Sequence, residues 1–153
     1  MNPRKGTVET IDPASIDEGK LGFRMTKQRK MVYDVILDEM DHPSASEVFL
    51  RVKERMPSIS LATVYNCLET LTQAGFVKQV NMDRAPSRYC PNQMDHGHFF
   101  CSECGEVRDV FKREGTALGE SWSLPRGSRV EQFEMVIKGV CPECAKKAKQ
   151  NKK

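Results

Sequence analysis

The chain has 153 residues, of which 39% are apolar and 29% charged, and its formal net charge at pH 7 is +3. This balance is typical of a soluble globular protein, excludes a disordered or fibrous chain, and leaves no apolar run long enough to cross a bilayer. With 24 basic and 21 acidic side chains, composition alone does not indicate a nucleic-acid partner.

Residues 1–22 are polar and contain several Pro and Gly residues without a sustained apolar period. We interpret them as a flexible N-terminal arm. They also lack the apolar core of a secretory signal, so we expect a cytoplasmic protein. Thiols stay reduced in the cytosol, and the six cysteines are therefore not expected to form three disulfides.

Apolar residues at helical spacing predict three short helices between residues 26 and 75. Thr26 is the expected N-cap of the first helix. Ser44 is the expected cap of the second, with Glu47 at capping-box spacing. Ser60 is the expected cap of the third, which Gly75 ends.

Two short strands are predicted next, over residues 76–80 and 87–90, around a turn at 81–86. Three helices followed by a β-hairpin is the order of a winged helix-turn-helix, a fold that places its third helix in the DNA major groove. We therefore predict a winged-helix DNA-binding domain over residues 23–91.

The second half differs in character and begins after a polar hinge predicted at residues 92–95. We expect a separate metal-binding domain over residues 96–145 and a Lys-rich tail over 146–153. The apolar pattern predicts strands at 98–101 and 107–111, a helix at 112–122 and a long strand at 129–140. The overall prediction is an α+β protein.

Two Cys-x-x-Cys pairs are the strongest chemical signal in the chain. They consist of Cys101 with Cys104, followed by Gly, and of Cys141 with Cys144, around a Pro. Each pair can direct two sulfurs at one ion, and four thiolates complete a tetrahedral shell for Zn²⁺. We predict a closed structural zinc site, which stabilises the fold and leaves no open position for catalysis.

The three histidines of the chain suggest a second ion. His96 and His98 are spaced to point to one face of a strand. The thiolate of Cys90 and either His42 or Asp109 could complete the ligand set. By contrast, Cys67 lies beside the apolar stripe of the third helix and is interpreted as a small core residue.

These motifs together resemble the ferric uptake regulator family of bacterial metal-dependent transcription factors. The resemblance covers about residues 23–147 and excludes the arm. The matching segments are RMTKQR at 24–29, HPSA at 42–45, SLATVY at 60–65, GFV at 75–77, His96-x-His98 and the two Cys-x-x-Cys pairs.

The resemblance implies a homodimer with an N-terminal winged helix and a C-terminal α/β dimerisation domain. It implies a repressor that binds a palindromic A/T-rich double-stranded operator when metal-loaded, and it implies no membrane association. By position, the structural zinc takes Cys101, Cys104, Cys141 and Cys144. The regulatory metal takes His42, Cys90, His96 and His98, with Asp109 as a possible further ligand.

Two positions separate branches of the family. Iron- and peroxide-sensing members resemble one another in carrying a carboxylate where this chain has Cys90, and a thiolate there looks like the zinc-sensing branch. Asn66 instead looks like the peroxide-sensing branch, whereas many members carry arginine. We expect two ions per subunit and a zinc-responsive repressor; the alternatives are an Fe²⁺- or Mn²⁺-dependent peroxide regulator and an iron-uptake repressor.

The candidate DNA contacts come from the three predicted helices. Thr63, Tyr65 and Asn66 are expected to read base edges and thymine methyls, and Asn can pair bidentately with adenine. Ser60 begins the same helix and belongs to this set. The candidate phosphate contacts are Lys27, Arg29, Lys30, Arg51 and Arg55.

An enzymatic function is not expected. A zinc deaminase needs an open metal position and a His-x-Glu motif ahead of Pro-Cys-x-x-Cys. The chain has His96-Gly97-His98 and Cys141-Pro142-Glu143-Cys144 instead, and neither segment matches.

Overall fold

The structure is a computed structural model that describes residues 9–12, 23–111, 123–131 and 133–150. The chain divides into two compact units, Met1–Met94 and Asp95–Lys153. Within the described ranges, every helix is too short or too polar to span a lipid bilayer.

In the part of the first unit that the structure describes, three helices are followed by a two-stranded antiparallel sheet, which confirms the predicted order. The helices are α1 (Lys27–Glu39), α2 (Ala45–Arg55) and α3 (Leu61–Gln73), and the strands are β1 (Lys78–Met82) and β2 (Ala85–Cys90). This is the order of elements in a winged helix.

Side-chain caps start all three helices, as the sequence predicts. The side chains of Thr26 and Ser60 each accept a hydrogen bond from the backbone N–H three residues later. Ser44 and Glu47 form a complete capping box. Gly75, at φ +80°, follows the end of α3 in the left-handed conformation that glycine adopts without strain.

Phe76 and Val77 are packed in the core of this unit instead of opening a strand, so the predicted strand at 76–80 begins two residues late. The ring of Phe76 lies 5.0 Å from that of Phe23 and 5.3 Å from that of Tyr33. Both Phe76 and Val77 are buried. Consecutive buried side chains do not suit the alternation of a two-stranded edge sheet, and β1 starts at Lys78.

A short piece of the predicted N-terminal arm, residues 9–12, is attached to the same unit. The Tyr33 hydroxyl donates to the Ile11 carbonyl oxygen at 2.9 Å and accepts from the Ile11 N–H at 3.2 Å. The Gln93 N–H donates to the Glu9 carbonyl oxygen at 2.7 Å. The rest of the arm lies outside the described residues.

The described residues of the second unit form a three-stranded sheet and one helix. Its strands are β3 (Gly97–Cys101), β4 (Val107–Val110) and β5 (Val136–Gly139), in the order β4-β3-β5. β3 pairs with β4 antiparallel and with β5 parallel. The helix α4 (Pro142–Gln150) follows β5 directly.

The long strand predicted at residues 129–140 is wrong in extent, because among the described residues of this range only Val136–Gly139 forms a strand. β5 pairs with residues 98–101 of β3, and the contact extends to Met135, whose carbonyl oxygen accepts from the His98 N–H at 2.8 Å. The helix predicted at 112–122 lies outside the described residues. α4 includes the first five residues of the predicted Lys-rich tail.

Candidate metal centres and nucleic-acid interface

Four cysteines of the second unit converge at one end of its sheet. Cys101 ends β3, Cys104 lies in the turn before Gly105, and Cys141 and Cys144 lie at the start of α4. Their sulfur atoms all lie within 4.8 Å of one another, and Cys104 Sγ is 3.9 Å from Cys141 Sγ. A tetrahedral zinc with Zn–S bonds of about 2.3 Å requires S–S edges of about 3.8 Å, so the cluster fits a Zn²⁺ ion.

Backbone amides favour negative charge at this cluster. Hydrogen bonds from the backbone N–H groups of Cys104 and Cys141 lower the pKa of Cys101 to about 6, and the Cys141 N–H lies 3.3 Å from Cys101 Sγ. The hydrogen bond with Cys141, followed by burial, raises the pKa of Cys144 to about 12. Sulfurs this close cannot all ionise without a cation among them, which agrees with a metal site.

Ion pairs of Arg108 connect two segments of the chain beside the cysteine cluster. Arg108 on β4 donates to both carboxylate oxygens of Glu106 at 2.8 Å and to Glu143 on α4 at 3.0 Å. The carboxylates beside Cys141 are therefore already engaged by a guanidinium. This arrangement links β4 to the helix that carries Cys141 and Cys144.

A second group of ligands lies at the start of β3 and on β4 of the same unit, with His96 directly before β3. His96 Nε2 is 3.0 Å from His98 Nε2 and 3.3 Å from Asp109 Oδ1, and the His98–Asp109 distance is 3.7 Å. His98 and Asp109 are directly paired across the two strands. Two imidazoles and a carboxylate at these spacings suit one divalent ion with metal–ligand distances of about 2.0–2.2 Å.

The first unit brings His42 and Cys90 together. Both side chains are buried, and a ring nitrogen of His42 lies within 4.8 Å of Cys90 Sγ. His42 precedes α2 with φ +56°. Cys90 is the last residue of β2, whose Tyr89 N–H donates to the Pro43 carbonyl oxygen at 3.0 Å. The predicted regulatory residues thus come from both units, two from the first and three from the second.

The predicted base-reading residues lie along α3. Tyr65 and Asn66 are exposed, Tyr65 by 49%, and Thr63 is half-buried. The Ser60 hydroxyl is engaged as the cap, since it accepts from the Thr63 N–H at 3.1 Å. Tyr65 and Asn66 are therefore the members of this set whose side chains are most accessible to a ligand.

Most predicted phosphate-contacting cations have an intramolecular partner. Arg29 donates to the Arg24 carbonyl oxygen at 2.6 Å and lies over the ring of Phe23. Lys27, at the start of α1, is exposed. The other cations form ion pairs on the surface of α1 and α2, namely Lys30–Asp34, Arg51–Asp41 and Arg55–Asp38.

Comparison with known proteins identifies the family. The sequence model described as the ferric uptake regulator family matches residues 20–138. The chain belongs to the ferric uptake regulator family. Members of this family are metal-dependent transcription regulators that bind DNA, so the winged helix and the ligand clusters belong to a regulator of this kind.

Several relatives within the ferric uptake regulator family are similar along most of their length. The peroxide operon regulator of Bacillus subtilis (strain 168) is 32% identical over 126 residues, which are 82% of this chain and 87% of the relative. The solved zinc-bound manganese uptake regulator is 28% identical with a TM-score of 0.62, covering 78% of this chain and 92% of that one. The Campylobacter jejuni peroxide stress regulator is 27% identical with a TM-score of 0.63, covering 76% and 88%.

Proposed function

We propose that this protein is a zinc-responsive transcriptional repressor that binds a palindromic A/T-rich operator as a cytoplasmic homodimer. The observation that carries the proposal is the pairing of a thiolate ligand, Cys90, with the imidazole of His42 in the first unit. A soft sulfur together with imidazoles favours Zn²⁺, whereas Fe²⁺ and Mn²⁺ prefer nitrogen and carboxylate oxygen at higher coordination.

The regulatory set we propose joins the two ligand groups described above. His42 and Cys90 come from the first unit, and His96, His98 and Asp109 from the second. A bound divalent ion supplies a common partner for both groups and favours the arrangement in which they meet. Coupling of about 1–3 kcal/mol between metal and DNA binding would change operator affinity about 5- to 150-fold.

The DNA-contacting surface in this proposal is α3, with support from the start of α1. Tyr65 and Asn66 are exposed on α3, where they can reach base edges in a major groove. α3 has one charged side chain, Glu69, so phosphate contacts must come from other elements such as Lys27. We therefore expect a moderate salt dependence of operator binding.

The proposed homodimer is supported by the edge of the second sheet. β5 lies at the edge of its three-stranded sheet, and Val136 and Ile137 on it are 45% and 44% exposed. An exposed apolar edge strand is a surface that proteins cover. A second copy of the chain is the occupant that the family implies.

Cys90→Ser tests the regulatory set. With Zn²⁺ retained in the cysteine cluster, we expect a folded dimer whose operator affinity no longer rises when Zn²⁺ is added, measured by fluorescence anisotropy of a labelled operator. Cys67→Ser is the matched control, since Cys67 is a buried thiol of α3 outside both clusters. Zinc-dependent operator binding by Cys90→Ser would overturn the ligand assignment.

A peroxide-responsive regulator is the second candidate function. Asn66 on α3 and the Asp109 carboxylate beside His96 favour it, and relatives named above are peroxide regulators. This candidate predicts that Fe²⁺ or Mn²⁺ supports operator binding. It also predicts that peroxide adds oxygen to His42, His96 or Cys90 of the iron-loaded protein, detectable by mass spectrometry.

A metal titration separates the candidates, including an iron-uptake repressor. Operator binding is followed while Zn²⁺, Mn²⁺ or Fe²⁺ is added to protein that retains only the structural zinc. A response to Zn²⁺ at the lowest free concentration supports the proposed function. A response to Fe²⁺ that peroxide does not reverse supports the iron-uptake repressor instead.

A further inference from the structure

The Glu47 carboxylate, at the start of α2, accepts hydrogen bonds from two separate parts of the chain. Glu47 Oε2 accepts from the Ser44 N–H at 2.7 Å, from the Ser44 hydroxyl at 2.7 Å and from Arg88 Nη1 at 2.8 Å. The first two bonds belong to the capping box of α2. The third comes from β2 and joins residues 41 positions apart in the chain.

The same strand is connected to the loop before α2 through its backbone. Ser44 and Arg88 form an isolated antiparallel β-bridge, and the Tyr89 N–H donates to the Pro43 carbonyl oxygen at 3.0 Å. The side chain of Arg88 is 17% exposed and that of Glu47 is 46% exposed, so the guanidinium end of this ion pair is shielded from water and the carboxylate end is partly solvated. The loop and β2 therefore behave as two short paired strands.

The register of this pairing determines which residues face each other. In an antiparallel pair, moving back along one strand corresponds to moving forward along the other. The Ser44–Arg88 bridge and the Tyr89–Pro43 hydrogen bond set Pro43 opposite Tyr89. His42 leaves strand geometry at φ +56°, one residue before this pair, and its ring nitrogen lies within 4.8 Å of Cys90 Sγ.

We propose that Arg88 and Glu47 are positioning residues that fix this register and thereby hold His42 and Cys90 ready for one metal ion. A slip of one residue would turn Cys90, on β2, to the opposite face. The ion pair opposes such a slip because Arg88 lies two residues before Cys90 on the same strand and would turn away from Glu47 together with it. This inference rests on the proposed function, which makes His42 and Cys90 ligands of the regulatory metal.

Two substitutions test the proposal. Arg88→Gln removes the cation, and Glu47→Gln removes the charge while keeping a residue that completes a capping box. We expect each to weaken Zn²⁺ binding at the regulatory site at least tenfold in a competition assay with a chromophoric chelator. Arg88→Lys, which keeps the charge, should retain most of the affinity.

Cobalt provides a readout that a general loss of stability would not change. With zinc in the cysteine cluster and Co²⁺ in the second site, the Cys90 thiolate should give a near-ultraviolet charge-transfer band. We expect this band to be weak in Arg88→Gln and Glu47→Gln and unchanged in Glu54→Gln. The last variant is the control, because it removes the same charge as Glu47→Gln from an exposed position at the other end of α2.

The outcomes distinguish this inference from the proposed function. If Arg88→Gln and Glu47→Gln both keep the Zn²⁺ affinity within twofold and keep the cobalt band, the positioning role is wrong. If Arg88→Gln does not fold, Glu47→Gln decides alone. If Cys90→Ser also keeps the Zn²⁺ affinity, the ligand set of the proposed function is wrong. If Cys90→Ser loses the Zn²⁺ affinity and the other two variants keep it, the ligand set is supported, and Arg88 and Glu47 have no positioning role.

Discussion

Asp41, next to the candidate ligand His42, is held by a guanidinium from α2. Arg51 donates to both carboxylate oxygens of Asp41, at 2.9 and 2.5 Å. These hydrogen bonds lower the pKa of the Asp41 carboxyl despite some burial, which acts in the opposite direction. The pair anchors the residue before His42, just as the β-bridge anchors the residues after it.

We predict that the Asp41–Arg51 pair stabilises the fold in a pH-dependent manner. Because the folded-state pKa of Asp41 is depressed, the contribution is complete above its ordinary value near 3.8 and is lost as the pH falls through the folded value. Both side chains are partly exposed, so Asp41→Asn should lower the free energy of unfolding at pH 7 by less than about 1 kcal/mol. Urea unfolding at pH 7 and at decreasing pH below 4 measures the difference, which should shrink.

The control for this prediction is the double variant. In the Asp41→Asn background, Arg51→Gln should add no further pH dependence in the acid range. An equal loss of stability by Asp41→Asn at every pH would contradict the assigned role of the ion pair.

The cysteine cluster leads to a second prediction about the role of a single residue. Cys101→Ser removes a buried sulfur that receives a backbone hydrogen bond from Cys141, and the bound zinc contributes folding free energy directly. We expect loss of about one zinc per chain by metal analysis, together with unfolding or dissociation to monomers. Cys67→Ser should keep the zinc; a dimeric, zinc-loaded Cys101→Ser protein would contradict a structural role.

Residue roles could be predicted from the sequence where they depend on neighbours in the chain. The caps Thr26, Ser44 and Ser60 are of this kind, and the structure confirms them. The ion pair between Arg88 and Glu47 could not be predicted, because no spacing rule connects positions 41 residues apart. Its geometry depends on the pairing of β2 with a loop.

Among the elements, α3 is the one that we expect to recognise the base sequence of the operator. Asn66→Ala should reduce operator affinity and relax the preference at one A·T pair, because a bidentate contact to adenine is worth about 1–3 kcal/mol of discrimination. Lys27→Ala should weaken binding equally on all sequences and reduce the slope of log affinity against log salt by about one for each protomer, and so by about two for the homodimer. Both are measured by anisotropy on operator variants at several salt concentrations.

Lys149→Ala is the matched control for Lys27→Ala, since it removes the same charge from an exposed position on α4. Its salt slope should equal that of the unaltered protein. An Asn66→Ala protein with unchanged preference at every base pair would show that α3 does not read bases through this residue.

The residues at which helices and strands begin and end depend on their packing partners, so they are harder to predict from the sequence than the elements themselves. The helices are set by caps and apolar spacing, which lie within each segment. β5, by contrast, extends only as far as β3 offers a partner, and the alternating pattern of residues 129–135 contains no information about that length. Likewise, Phe76 is required by the core around Phe23 and Tyr33, so β1 begins later than the apolar run suggests.

For the whole molecule, the exposed edge of the second sheet predicts how the proposed homodimer can be disrupted. Ile137→Glu places a charge on β5, where the side chain is 44% exposed, and burying that charge at an interface is costly. We expect a monomer by analytical ultracentrifugation that still holds one zinc per chain. Leu50→Glu is the control, since Leu50 is 62% exposed on α2 of the first unit; dissociation by both variants would argue against β5 as the contact.

The parallel pairing of β3 with β5 has a consequence for how the second unit forms. The pairing sets Cys101 beside Gly139, and a Cβ at Gly139 would lie 3.0 Å from the Phe99 ring, so the two strands pack closely at this point. Both cysteine pairs follow directly from these strand ends. If the two strands were misaligned during folding, the four sulfurs would not converge on one ion. Zinc binding would therefore stabilise the correctly aligned chain selectively.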